Sequence, residues 1–221
     1  LPPSGNDYIF YLHLNEEGYG GLEHDNSCLL QFSWKRLQDK AGYRNLLQLI
    51  GHEYLHQWNV RRLRPKEYIR YDYSKPVISE NLWFAEGVTG YFDIFLPFLS
   101  GFSSINELLI DFSAEINHLY NTPGRFVQTL TQSSIETWIK LYKSTPSSRN
   151  TQVSYYKLGT IMSLALDITL RQNNSSLSYL LRTLWSNCKE SECGYNRSQI
   201  TSIIDTINPS ITDKVNCWLD K

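Results

Sequence analysis

The sequence has no run of apolar residues approaching the ~20 that a membrane-crossing helix needs, and its mean hydropathy is −0.38. Nor does it carry an excess of charge of either sign. Lys and Arg total 21 against 22 Asp and Glu, a formal net charge of −1. That balance supplies no electrostatic footprint for nucleic acid or an anionic membrane surface, so neither is expected as a partner. Charged residues make up only 19% while 41% of the chain is apolar, which excludes a disordered polypeptide. There is no internal repeat and no low-complexity tract. Methionine is nearly missing. The single one is Met162 and the chain opens at Leu1-Pro2-Pro3-Ser4, so we expect a processed or excised piece of a longer protein. Cysteine is scarce too: Cys28, Cys188, Cys193 and Cys217. Two disulfides can be drawn from these, but 221 residues bury a core without them. Cys188 and Cys193 read as free thiols or one local bridge, because the usual zinc-ligand spacings are absent.

Aromatic residues, by contrast, reach 14%, with 15 Tyr, 9 Phe and 6 Trp. Residues 8–14 (YIFYLHL) predict a strand, broken by Gly18, Gly20 and Gly21. Residues 22–32 predict a second strand at a sheet edge. From Gly42 onward the apolar spacing turns helical through Trp58, with Pro65 marking the end of that helix and its basic tail. Helices are predicted at 80–96, stopping at Pro97, then from an entry at Ser103-Ser104-Ile105-Asn106-Glu107 to about Asn121, and then at 153–171, 176–188 and 197–207. Residues 66–79 and 144–151 predict loops, and Thr122-Pro123-Gly124 a turn. Strands first and helices after make an α+β domain, β-rich over about 1–40 and helical over about 41–221.

His52-Glu53-Tyr54-Leu55-His56 is an H-E-x-x-H motif. On a helix the two imidazoles stand one turn apart on one face, about 6 Å along the axis, and both can reach one zinc ion. Glu53 follows the first ligand, where its carboxylate can hold a water beside the metal and take its proton. A catalytic zinc needs a third protein ligand and an open fourth position. Glu80 and Glu86 are the downstream candidates. Glu86 lies in the apolar run Leu82-Trp83-Phe84-Ala85-Glu86-Gly87 and is favoured, because a carboxylate buried there would be costly without a partner. Asp93, two turns further on, is either a surface Asp or an acceptor that orients His52 or His56. Arg61, Arg62 and Arg64 follow the motif helix and suit the negative end of its dipole.

Four blocks occur in order: Gly20-Gly21-Leu22-Glu23-His24, the H-E-x-x-H segment through Gln57-Trp58-Asn59-Val60, Leu82 to Gly87, and Val153-Ser154-Tyr155-Tyr156. Over about residues 8–172 this series resembles the glycyl aminopeptidase family of gluzincin metallopeptidases. The resemblance implies a thermolysin-like catalytic domain that hydrolyses peptide bonds near a free N-terminus, with small residues such as Gly or Ala preferred. It implies one zinc per chain, held by His52, His56 and Glu86, with Glu53 as general base. It further implies that Gly20 and Gly21 lie on an edge strand touching the substrate backbone. Glu23 would hold the substrate's α-ammonium, and Tyr156, with Tyr155 its rival, would donate to the oxyanion. The family usually has Lys just before the Gly that follows its Tyr pair; here that position is Leu158, with Lys157 one place earlier. Full-length members add a β-rich N-terminal domain and a C-terminal PDZ domain, and neither is expected within this sequence. Two other functions stay open: a non-catalytic peptide-binding domain with a zinc staple, and a metalloendopeptidase.

Overall fold

Strands β1 (Ile9–Asn15), β2 (Tyr19–Glu23) and β3 (Ser27–Ser33) form a sheet in the order β1-β3-β2. β1 runs parallel to β3 and β2 antiparallel to it. The computed structural model describes residues 7–70, 72–187 and 193–221, with Cys193 described by its backbone alone. Two units divide the chain: Leu1–Arg62 with Phe92–Phe112, and Leu63–Tyr91 with Ser113–Lys221.

In the first unit, strand alternation puts Cys28, Leu30 and Phe32 on one face, where they meet Leu46 and Leu49 of helix α1 (Lys40–Leu55). β2 pairs Tyr19 with Phe32, Gly21 with Leu30 and Glu23 with Cys28. Those three β2 residues therefore share the side that faces α1. The expected strand at 22–32 is two strands, split at His24–Asn26, where the His24 N–H donates to the Ser27 carbonyl at 2.8 Å. Asp25 and Asn26 are turn formers, and that local preference outweighs strand continuity. Of the three glycines only Gly18 breaks the chain, at φ +149, and Gly20 and Gly21 lie inside β2.

Helix α1 is capped by Asp39, whose side chain accepts from the Gly42 N–H at 2.7 Å. It ends at Leu55 instead of continuing toward Pro65. Its bonds tighten to a three-residue span, Gln57 to Tyr54 and Trp58 to Leu55, and the chain unwinds into β4 (Leu63–Pro65). Arg44 on α1 is buried and donates to both Asp111 oxygens at 2.7 and 2.8 Å. Asp111 and Glu107 belong to α3 (Ile105–Tyr120), which begins at a reciprocal cap. The Ser104 N–H donates to Glu107 at 2.8 Å and the Glu107 N–H to Ser104 Oγ at 3.3 Å.

In the second unit, a π-helical turn, Trp83–Gly87, leads into α2 (Val88–Leu99), which from Phe92 onward belongs to the first unit. The expected stop at Pro97 is overrun by two residues. Then come α4 (Leu130–Ile135), α5 (Ser148–Thr151), α6 (Tyr155–Arg171), α7 (Leu177–Asn187), α8 (Arg197–Ile207) and α9 (Pro209–Asp220). Within the stretch expected to be loop at 144–151, α5 is a single helical turn. α4 and α9 were not expected. A capping box between Thr129 and Gln132 starts α4, and Asn208 with Pro209 starts α9. β5 (Cys193–Tyr195) pairs parallel with β4. The core is built on α6, through Tyr155, Met162, Leu166 and Leu170, and on the buried faces of α7, α8 and α9. Buried Asp167 ties these together, accepting from Tyr91 Oη at 2.6 Å, Arg171 Nε at 2.6 Å and the Leu177 N–H at 2.7 Å.

Cys28 and Cys217 are free thiols, and burial pushes the Cys28 thiol up to about 11. The expectation for Cys188 and Cys193 falls on a residue and a side chain outside the described set. No helix among the described residues is long and apolar enough to cross a membrane.

The Glu107 cap has a consequence for acid stability. The Ser104 N–H first, and then the Lys40 ammonium, pull the Glu107 carboxyl down to about 2. A carboxyl depressed on folding stabilises the protein above its unfolded value and loses that contribution as pH falls toward the folded one. Chemical denaturation followed by circular dichroism should show stability dropping between about pH 4.5 and pH 2. In Glu107→Gln that part of the drop should be missing. Identical pH profiles for the two chains would exclude this role for Glu107.

Candidate active site

His52 and His56 stand one turn apart at the end of α1, His56 being its C-cap, with ring centroids 4.7 Å apart. His52 Nδ1 lies 2.8 Å from Asp93 Oδ2, and His56 Nδ1 lies 2.8 Å from the Asn59 carbonyl oxygen. Both partners are acceptors, so each ring donates from Nδ1, and in the neutral ring the lone pair is then on Nε2. This is the tautomer that a metal ligand requires. The Asn59 contact exists because the chain unwinds after His56 and turns that carbonyl back beneath the ring.

Glu53 is buried on the same helix, under β2. A Cβ on Gly21 would fall on the Glu53 carboxylate, so the glycine leaves that side chain its place under the strand. At Gly20 there is open space instead. One carboxylate oxygen of Glu23, one of Glu53 and a ring nitrogen of His56 all lie within 4.8 Å of one another. Tyr8 Oη donates to the Glu53 carbonyl at 3.3 Å, and its ring meets Tyr54 edge-on at 5.1 Å. Burial first, then Cys28, raises the Tyr8 hydroxyl well above the usual phenol range, so it stays a donor.

In the second unit, Glu86 sits in the π-helical turn. π turns occur mostly as single insertions in helices, often at functional sites. Two features hold this one. The Trp83 N–H donates to Ser134 Oγ on α4 at 3.2 Å. Gly87 also crosses Gly159 of α6 backbone to backbone, and a Cβ on Gly87 would collide with the Gly159 main chain. The crossing brings the first turn of α6 beside the turn that carries Glu86. Tyr155 is 2% exposed and stacks on half-buried Tyr156 with centroids 4.6 Å apart and planes 29° apart. Tyr156 Oη lies 3.2 Å from Tyr142 Oη. Burial, and next the charge of Glu86, keep the Tyr155 and Tyr156 hydroxyls protonated well above the ordinary value. Tyr195, fully buried against Phe84, feels the same charge.

Glu80 instead lies 3.6 Å from Arg197. Arg61 pairs with Asp25 at 2.8 Å, and Arg62 donates to the Gln57 and Asp25 carbonyls. Three contributors were not singled out from sequence. Asn59 acts through its main chain, which no side-chain pattern reveals. Tyr8 was read only as part of a strand. Tyr142 lies in an aromatic stretch with Trp138 that carries no motif.

An H-E-x-x-H helix beneath the edge of a small sheet, within an α+β chain, defines a thermolysin-like peptidase fold. The family model for M61 glycyl aminopeptidase matches residues 45–162, more than half of the sequence, and the chain belongs to that family of peptidases. It is also similar to the solved structure of an aminopeptidase N family protein from Idiomarina loihiensis, at 30% identity and a TM-score of 0.92. That match covers 97% of this chain but only 38% of the other, so the chain spans well under half of its neighbour's length. No curated protein matches it.

The glycine crossing makes a stability prediction. Gly87→Ala, whose Cβ would fall on the Gly159 main chain, should destabilise the chain by about 1–3 kcal/mol, the usual cost of forcing atoms into a packed contact. Gly20→Ala, with open space around it, should stay within about 0.5 kcal/mol of the parent. Thermal melts of the two variants beside the parent decide this, and equal melting temperatures would remove the crossing as a constraint.

Proposed function

We propose that the chain is one catalytic domain of a zinc aminopeptidase acting on peptides with a free N-terminus, small residues such as Gly or Ala first. The observation that carries this reading is the pair of Nδ1 hydrogen bonds at 2.8 Å. They orient two imidazoles of one H-E-x-x-H helix so that, in the neutral form, each lone pair is on Nε2. With the carboxylate of Glu86 this donor set fits zinc. The family name and the Idiomarina neighbour's description as an aminopeptidase support the same reading.

The metal would be held by His52, His56 and Glu86, and would supply Lewis acidity toward the scissile carbonyl and toward water. Glu53 takes the proton of the attacking water and passes it to the departing amine. Two carboxylates held close together favour a cation between them. We assign that place to the substrate's α-ammonium, with Glu23 as its anchor and Gly20 and Gly21 as the edge it lies along. Asp93 and the Asn59 carbonyl keep the two histidines in one orientation. Tyr156, less buried than Tyr155, donates its hydroxyl to the oxyanion. A donor of this kind contributes about 3 kcal/mol to the transition state.

Elemental mass spectrometry of the purified chain should find about one zinc, lost in His56→Ala. Glu53→Gln should keep the zinc and lose turnover of peptides beginning with Gly or Ala by a factor of about 10²–10⁴. Parent-like rates in that variant would refute the mechanism. The amine anchor is tested separately. Glu23→Gln should raise KM about tenfold with a smaller change in kcat, and N-acetylated peptides should resist cleavage by the parent. Unchanged cleavage of acetylated peptides would point to an endopeptidase, and binding without cleavage to a zinc-stapled peptide-binding domain.

A further inference from the structure

We propose that Tyr142 is a positioning residue for this reaction: its hydroxyl donates to Tyr156 Oη and thereby aims the Tyr156 proton at the substrate's oxyanion. The inference rests on the role given to Tyr156 above.

The contact itself is on the page, with the two hydroxyl oxygens 3.2 Å apart. Its direction follows from counting protons. A phenol has one proton to give and can accept through its oxygen. If Tyr156 spends its proton on the oxyanion, it can only accept from Tyr142. A hydroxyl that accepts a hydrogen bond is polarised and becomes a better donor, and the bond also fixes the rotation of its own proton. Tyr142 is held to this task from outside the core. Its ring lies against Trp138, centroids 5.4 Å apart, and Trp138 Nε1–H donates to the Val77 carbonyl at 2.8 Å. The Tyr142 N–H donates to the Thr137 carbonyl at 3.1 Å. From the other side the buried Tyr155 ring stacks on Tyr156 and limits its swing.

Packing does not account for Tyr142. The residue is 56% exposed and lies in a short 3₁₀ turn, Leu141–Lys143, so its hydroxyl contributes little to the fold. Tyr142→Phe keeps the ring and its contact with Trp138 and removes the hydroxyl alone. That makes it a clean variant, unlike a change at buried Tyr155.

The test is a double-mutant cycle on a peptide with N-terminal Gly or Ala, beside thermal melts. Tyr156→Phe should lower kcat about 10²-fold. Tyr142→Phe should lower kcat about tenfold at unchanged KM and unchanged melting temperature. The double variant should be no slower than Tyr156→Phe, because the Tyr142 hydroxyl reaches the reaction through that of Tyr156. Additive losses in the double variant, or a parent-like kcat in Tyr142→Phe beside a slow Tyr156→Phe, overturn the proposal while leaving Tyr156 its role. A parent-like kcat in Tyr156→Phe overturns both. A second readout needs no turnover. The ¹³Cζ resonance of Tyr156 should shift in Tyr142→Phe, and an unmoved resonance overturns the contact directly.

Discussion

The seat of β2 on α1 is the constraint from which the first unit's chemistry follows. Cys28, Leu30 and Phe32 draw the sheet onto Leu46 and Leu49. Full burial of each large apolar side chain in that layer contributes about 1.5–3 kcal/mol. The layer can close only where no side chain intervenes, and at the point of closest approach the strand carries Gly21 above the Glu53 carboxylate. Because β2 is that close, its next inward residue, Glu23, comes within 4.8 Å of Glu53 and His56. Two acids and an imidazole are thus gathered by apolar packing, not by attraction among themselves.

The second unit uses the same device in another place. Gly87 and Gly159 let two helical segments touch through their backbones. One segment carries Glu86 in a π turn and the other carries Tyr155 and Tyr156 in its first turn. A negative charge beside burial keeps those phenols neutral, so they remain donors at any pH near neutrality. Here too a small residue decides which polar groups meet.

Some of this was legible in the chain and some was not, for reasons specific to each element. H-E-x-x-H is readable because its meaning is local: four residues on a helix return to one face. β1, α3, α6, α7 and α8 follow from apolar periodicity and caps of the same local kind. The end of α1 was misplaced because Pro65 is a strong stop signal, whereas the unwinding after Leu55 has no breaker residue to announce it. α2 runs two residues past Pro97, against the local preference of proline. α4 escaped notice because it is short and buries Ser133 and Ser134 beside a single leucine, leaving no apolar stripe to see.

The amino-acid sequence by itself marked out the groups we propose to react, His52, Glu53, His56, Glu86 and Glu23, and the glycines beside them. It did so because ligand chemistry and backbone clearance belong to individual residue types at short spacing. Only the tertiary structure decided which acceptor each histidine would have, Asp93 for one ring and the Asn59 carbonyl for the other. It alone also set Tyr142 against Tyr156. Those pairings join atoms from different elements and from the main chain. They depend on where helices end and cross, a property of packing rather than of any one segment.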